Sequence, residues 1–206
     1  MNGAARLRGV YALIEPAAHA QPAAYLDALL RGGVRLVQIR AKGGIAISLL
    51  RDLVARVRTA GGATIVNDDV ECALEADGVH LGQEDLAGVD LRAVRARLGT
   101  RTIGLSCGTP AEARAVDARL VDYLGVGPIF ATRSKSDAGG PIGVNGVRVV
   151  VDATALPVAA IGGISLETVP RVRETGASMA AVISAFAAAA DPESAARAFV
   201  AAWDGR

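Results

Sequence analysis

Residues 36–66 read LVQIRAKGGIAISLLRDLVARVRTAGGATIV, and their patterning decides the fold. Leu36 to Ile39 is a short β-rich apolar run, and Thr64 to Val66 is another. Between them, over Ala46 to Val57, the residues Leu49, Leu50, Leu53, Val54 and Val57 form one apolar stripe with arginines on the other side. That period predicts an amphipathic helix. Gly61-Gly62 offers its C-terminal stop. A strand, a helix and a second strand within about 30 residues make a βα unit whose strands run parallel.

The same unit recurs in both directions. Further strand runs fall at Val10 to Ile14, Val79 to Leu81, Thr102 to Leu105, Tyr123 to Val126, Val158 to Ile161 and Met179 to Ile183, roughly every 25 residues along the chain. Helical patterns lie at Ala23 to Leu30, Asp90 to Leu98, Pro110 to Ala118, Ser165 to Glu174 and Asp191 to Trp203. Thr109-Pro110 pairs a cap with a proline at the first helical position, and Ser165 with Thr168 opens another helix. Strands that are almost wholly apolar need helices packed over them. Eight such units in 206 residues is the count of a compact (β/α)8 TIM barrel. A doubly wound open sheet is the alternative, and closure is favoured. The expectation is one α/β domain over residues 1–206. One long irregular stretch, Gly127 to Asn145, reads as a functional loop, with Ala131 to Asn145 as a lid.

Composition removes several function classes. Lys+Arg of 22 against Asp+Glu of 21 leaves a net charge of +1, so no global field draws the chain to nucleic acid or an anionic membrane. Cys72, Cys107, His19 and His80 are too far apart for a structural zinc site. Val10 to Ile14 is too short for a signal-peptide core. Met179 to Ala190 is shorter than the ~20 residues a bilayer span requires. A soluble cytoplasmic protein is expected; oligomeric state is not set by the sequence, and a homo-oligomer stays open.

The unusual polar residues sit at the C-terminal ends of the strands, the face on which parallel barrels build active sites. Alternation puts Gln38, Arg40 and Lys42 on one side, two cations with an amide. Asn67-Asp68-Asp69 and the run Gln83-Glu84-Asp85 bring acidic groups to neighbouring strand ends, suiting a hard cation such as Mg2+. Asn and Asp also cap helices, and Asp69 suits that role. His80 lies within its strand and reads as an interior histidine; Cys107 reads as a small strand-end residue. Thr132, Arg133, Ser134 and Lys135 interleave hydroxyls with cations, a composition suited to phosphate oxygens. Gly162-Gly163 and Ile183-Ser184, after the last two strands, offer close backbone and helix-start N–H groups for a phosphate.

As a set these residues resemble the thiamine-phosphate synthase family. The matching stretches are residues 10–14, 38–42, 66–70, 76–85, 121–130, 132–135 and 161–164. The resemblance implies a transferase that joins a pyrimidine diphosphate to a thiazole phosphate with Mg2+. It implies that Gln38, Ile39, Arg40, Ala41, Lys42, Asn67 and Lys135 hold the diphosphate substrate, with Ser106 beside the pyrimidine ring. Asp68 and Asp85 look like the metal ligands, and Thr132, Arg133, Ser134, Gly163, Ile183 and Ser184 like the thiazole-phosphate site. Arg40, Lys42, Ser106 and Lys135 are expected to act in the chemistry. Gly108 stands where the family usually has a histidine, beside an unusual Cys107. Small molecules are the expected partners. The competing readings are a thiazole tautomerase-like paralogue, in whose branch a histidine tends to replace Pro128, and a non-catalytic phosphate-binding barrel.

Overall fold

A computed structural model describes residues 7–82, 89–132 and 140–206. Eight parallel strands close into a barrel in sequence order: β1 (Gly9–Ile14), β2 (Leu36–Ile39), β3 (Ala63–Asn67), β4 (Gly78–Leu81), β5 (Thr102–Cys107), β6 (Tyr123–Val126), β7 (Val158–Ile161) and β8 (Met179–Val182). β1 pairs with β8 as well as β2, with Tyr11 opposite both Ala181 and Leu36. Closure therefore prevails over the open sheet. The helices are α1 (Pro22–Arg31), α2 (Ile47–Thr59), α3 (Leu91–Leu98), α4 (Pro110–Ala115), α5 (Gly143–Val151), α6 (Val169–Arg173), α7 (Ser184–Ala187) and α8 (Pro192–Asp204). Among the described residues no helix is long and apolar enough to cross a membrane.

The core divides by strand parity. Outward residues such as Ile14, Val37, Ile39, Val66, Leu124 and Val126 meet the helices in a large outer shell. Inward residues make a second cluster that includes Leu7, Tyr11, Leu36, Ala63, Ile65, Tyr123 and Met179. Leu7, Leu36, Ala63 and Met179, all buried, fill the end of the barrel where the strands begin. α2 buries Leu50, Leu53, Val54 and Val57, as its period requires. It ends in a Schellman arrangement: Gly61 N–H bonds to Arg58 O and Gly62 N–H to Val57 O, with Gly61 at φ 76°.

Local chemistry explains where helices depart from the periodicity. α4 starts as expected, its Thr109 hydroxyl accepting from Glu112 N–H, but stops at Ala115. α6 starts at Val169, later than Ser165, and carries Pro170 in its first turn, where a proline's missing N–H costs nothing. α5 begins at Gly143, inside the stretch read as irregular. Glycines and β-branched valines disguise it, since both are weak helix formers. Burial of Val147 and Val150 outweighs that weakness. Residues 133–139 of the expected lid lie outside the described residues.

Candidate active site

A cavity of about 430 Å3 opens at the C-terminal ends of the strands. Gln38, Arg40 and Lys42 all line it; Gln38 points inward from β2, and Arg40 and Lys42 follow just past its end. Ile39 takes the opposite parity and is fully buried in the outer shell, so its side chain does not face this cavity. Ala41 lines instead a neighbouring cleft of about 420 Å3, bounded by Glu15 to Ala18 and Lys42 to Ala46, which Arg40 and Lys42 share. The two cations of β2 are not left to repel each other unaided. Arg40 Nη1 donates to Glu15 Oε1 at 2.7 Å.

Asp68 occupies a special position at the end of β3. Its φ is 63°, the one left-handed conformation among the described non-glycine residues, and Asp69 N–H bonds back to Asn67 O at 2.8 Å around it. Turns of this kind carry backbone strain and concentrate at functional sites. The turn carries the Asp68 carboxylate to the end of β4: its Oδ1 lies 3.4 Å from Gly82 N, while Asn67 Nδ2 donates to its other oxygen. Asp69 does cap, accepting from Cys72 N–H at 2.8 Å at the start of a short 3-10 turn, Cys72–Glu75. That backbone hydrogen bond holds the Asp69 carboxyl below its ordinary range. Asp85, Arg133, Ser134 and Lys135 lie outside the described residues. Among the described residues no three or more His, Cys, Asp or Glu side chains form a metal cluster.

Deeper in the cavity a line of polar groups crosses the barrel. Gln38 is buried and its Nε2 donates to Tyr11 Oη at 2.9 Å. Tyr11 Oη lies 2.9 Å from Tyr123 Oη, which lies 2.9 Å from His80 Nδ1. His80 Nε2 then lies 3.1 Å from Ser106 Oγ. His80 is thus the interior histidine its place in the strand implied. Burial pushes the pKa of both tyrosines far up, so both phenols stay protonated. Neither tyrosine was singled out as a site residue by sequence reasoning. The available signal is two tyrosines at inward strand positions together with inward glycines, since Gly104 leaves room for the Tyr123 ring and Gly125 for the His80 ring. A Cβ on Gly104 would lie 2.1 Å from Tyr123 Cζ, and one on Gly125 would lie 2.8 Å from His80 Cε1.

The opposite wall comes from β6, β7 and β8. Thr132, Gly163, Ile183 and Ser184 line the cavity there, with Pro128 and Gly162. Gly163 and its neighbour Gly162 take φ of 62° and 102°, conformations that favour glycine. Their bareness is also steric: a Cβ on Gly163 would lie 2.4 Å from Ala131 O. Phe130 N–H donates to Gly162 O at 3.0 Å, tying the loop after β6 to the loop after β7. Ser184 opens the short α7, and Phe186 N–H bonds back to Ile183 O. At the end of β5, Cys107 is buried with Sγ directed at Thr109 O, and burial pushes its thiol up. Gly108 N–H donates to Glu112 Oε2 at 2.7 Å and lines the cavity with no side chain.

A family model of thiamine monophosphate synthase matches residues 10–186. The chain belongs to the thiamine monophosphate synthase family. A thiamine-phosphate synthase of Xanthobacter autotrophicus is 48% identical over 183 residues, which is 86% of this chain and 85% of that one. The corresponding protein of Caldivirga maquilingensis is 39% identical over 205 residues, 96% of this chain and 97% of its own. Among solved structures, a thiamine phosphate pyrophosphorylase from Pyrococcus furiosus superposes with a TM-score of 0.87 at 29% identity, covering 97% of each chain. Thiamine-phosphate synthases are transferases, and the closed barrel expected from the sequence is the fold of the Pyrococcus furiosus structure.

Proposed function

We propose that the cavity joins 4-amino-5-hydroxymethyl-2-methylpyrimidine diphosphate to 4-methyl-5-(2-hydroxyethyl)thiazole phosphate, giving thiamine monophosphate and free diphosphate. The observation that carries this reading is the division of one cavity into two unlike halves. Arg40, Lys42, Asn67 and Asp68 stand on the β2 and β3 side, while Thr132, Gly163 and Ser184 stand on the β6 to β8 side. The first half suits a diphosphate with a metal, the second a monophosphate. Between and beneath them, Ser106 and His80 line the cavity and offer polar groups suited to the edge of a flat heterocycle.

Chemistry of this kind needs no covalent nucleophile. The bond from the methylene carbon to the diphosphate oxygen breaks, with both electrons leaving on oxygen. The pyrimidine amino group donates density into the ring and stabilises the methylene cation; the thiazole nitrogen lone pair then closes the new C–N bond. Arg40 and Lys42 offset the negative charge that collects on the departing diphosphate, and fixed cations do so without reorganising. Holding the thiazole nitrogen beside the methylene carbon in one cavity adds to this, because proximity removes much of the cost of a bimolecular encounter.

Mg2+ fits the donor set. Asp68 is held by its turn at the cavity rim, Asp85 follows shortly after β4, and magnesium takes few protein carboxylates when substrate phosphates complete its shell. When bound it neutralises charge on the diphosphate oxygens. Lys135, Arg133 and Ser134 enter the proposal on the family's pattern, as further contacts to the two phosphate groups. A tautomerase-like reading gains nothing from Pro128 or from a carboxylate held at the rim.

The test is a single reaction of purified protein with both substrates and Mg2+, read for thiamine monophosphate and for diphosphate, with and without chelator. Both products are expected in equal amounts, and neither with chelator. Thiazole consumption without diphosphate release would establish the tautomerase reading instead. Binding of both phosphates with no product would establish the silent barrel.

A further inference from the structure

Hydroxyl and imidazole groups both donate and accept, so the line from Gln38 to Ser106 can in principle run in either direction. Gln38 breaks the tie. Its amide N–H occupies an acceptor site on the Tyr11 oxygen, and the buried Tyr11 proton then takes Tyr123 Oη, 2.9 Å away, as its acceptor, since a buried O–H left without one is costly. Tyr123, already accepting, gives its proton to His80 Nδ1. A nitrogen that accepts carries no proton, so the neutral imidazole is protonated on Nε2 and donates to Ser106 Oγ. The Ser106 hydroxyl proton is then left for the cavity.

The geometry points to Gln38 as a positioning residue that, through Tyr11, Tyr123 and His80, makes Ser106 a hydrogen-bond donor to the ligand. Gln38 thereby leaves the diphosphate contacts to Arg40 and Lys42, although it faces the same cavity. Three features support a built line. Gly104 and Gly125 clear the volume that the Tyr123 and His80 rings occupy. The protonation of both phenols keeps each link supplied with a proton. Gln38 is one of only three buried polar or charged residues among those described, and a buried amide that chooses one orientation transmits it along every bond that follows.

Direction has a consequence for selectivity. Run this way, the line ends in an O–H that rewards a lone pair on the ligand, such as a pyrimidine ring nitrogen. Run the other way, Ser106 would donate backward to His80 and offer the ligand only lone pairs, rewarding an N–H donor such as an amino group. The identity of the ligand rests on the function proposed above; the direction of the line does not.

The experiment is 15N spectroscopy of the histidine-labelled, ligand-free protein at neutral pH. The chain holds two histidines, His19 and His80, so His19→Gln assigns the signals. His80 is expected with Nε2 protonated and Nδ1 unprotonated. Gln38→Glu, which puts an acceptor where the donor stood, is expected to shift the proton toward Nδ1. Gln38→Met, which offers neither, is expected to give a mixture of the two tautomers, and it carries the test alone if Gln38→Glu does not fold. A native protein protonated on Nδ1, or variants that keep the native tautomer, would overturn the proposal. In steady state, Gln38→Met is expected to raise the KM for the pyrimidine diphosphate roughly tenfold, the loss of about one hydrogen bond, and to leave the KM for the thiazole phosphate in place. A shifted tautomer with an unmoved KM upholds the line and overturns the placement of the pyrimidine at Ser106, so the two failures separate.

Discussion

Arg40 and Glu15 are joined across the ends of β2 and β1, Nη1 to Oε1 at 2.7 Å, with the arginine side chain 12% exposed and the glutamate 44%. The less exposed partner lines the cavity and the more exposed one lines the neighbouring cleft, so the pair sets how much positive charge an anion bound there meets. An exposed carboxylate is screened and contributes little to stability. Its field at the site persists over a few ångströms.

Glu15→Gln keeps a hydrogen-bond acceptor for Arg40 and removes the opposing charge. The KM for the diphosphate substrate is expected to fall about two- to fivefold at low ionic strength, with the difference shrinking in salt. Initial rates at two salt concentrations measure it. A KM that rises instead would mean that Glu15 acts by fixing the arginine's position.

Asp68 tolerates its left-handed φ because a short polar side chain does so better than most. Asp68→Asn keeps that conformation and loses the charge. The variant is expected to retain the wild-type midpoint in urea while losing roughly 10- to 100-fold in Mg2+-dependent binding of the pyrimidine diphosphate. Calorimetric titration with and without Mg2+ reads the loss, and unchanged binding would remove Asp68 from the metal's shell.

Gly104→Ala forces a Cβ against the Tyr123 ring, 2.1 Å from Cζ. Overpacking at such a site costs about 1–3 kcal/mol, and urea unfolding is expected to show it. Gly61→Ala, in open space at the end of α2, carries only the cost of its left-handed backbone, about 1 kcal/mol.

The three tyrosines give a pH prediction. Burial pushes Tyr25 up to about 12 and raises Tyr11 and Tyr123 further. In the unfolded chain they titrate near the ordinary value of 10.0. For a group whose folded pKa is raised, the stabilisation is whole below the unfolded value and is lost as pH climbs toward the folded one. Stability is therefore expected to decline from about pH 10 upward. Phenolate absorbance is expected to appear together with unfolding, and an earlier, non-cooperative rise would contradict the burial of these rings.

Much of this molecule is legible in its sequence, for physical reasons that also mark the gaps. Strands buried on both sides advertise themselves, so every strand was located to within a residue or two. The grouping of Gln38, Arg40 and Lys42 on one side is readable as well, and all three line one cavity; Ile39, counted with them on the family's pattern, turns its side chain into the outer shell instead. α5 was hidden because its valines and glycines prefer other conformations when taken alone, and only packing decides for the helix. The role of Gln38 was hidden for a different reason. Its partner Tyr11 is 27 residues away in the chain, and the line continues through residues whose meeting depends on barrel closure. Residue types suggested an anion site; hydrogen-bond direction is a property of the folded interior.

Leu7, Leu36, Ala63 and Met179 fill the end of the barrel where the strands begin, while the 430 Å3 cavity opens at the other. The two ends thus divide the labour of the fold: a substitution in the plugged end is expected to be read in the unfolding midpoint, and one at the open end in KM.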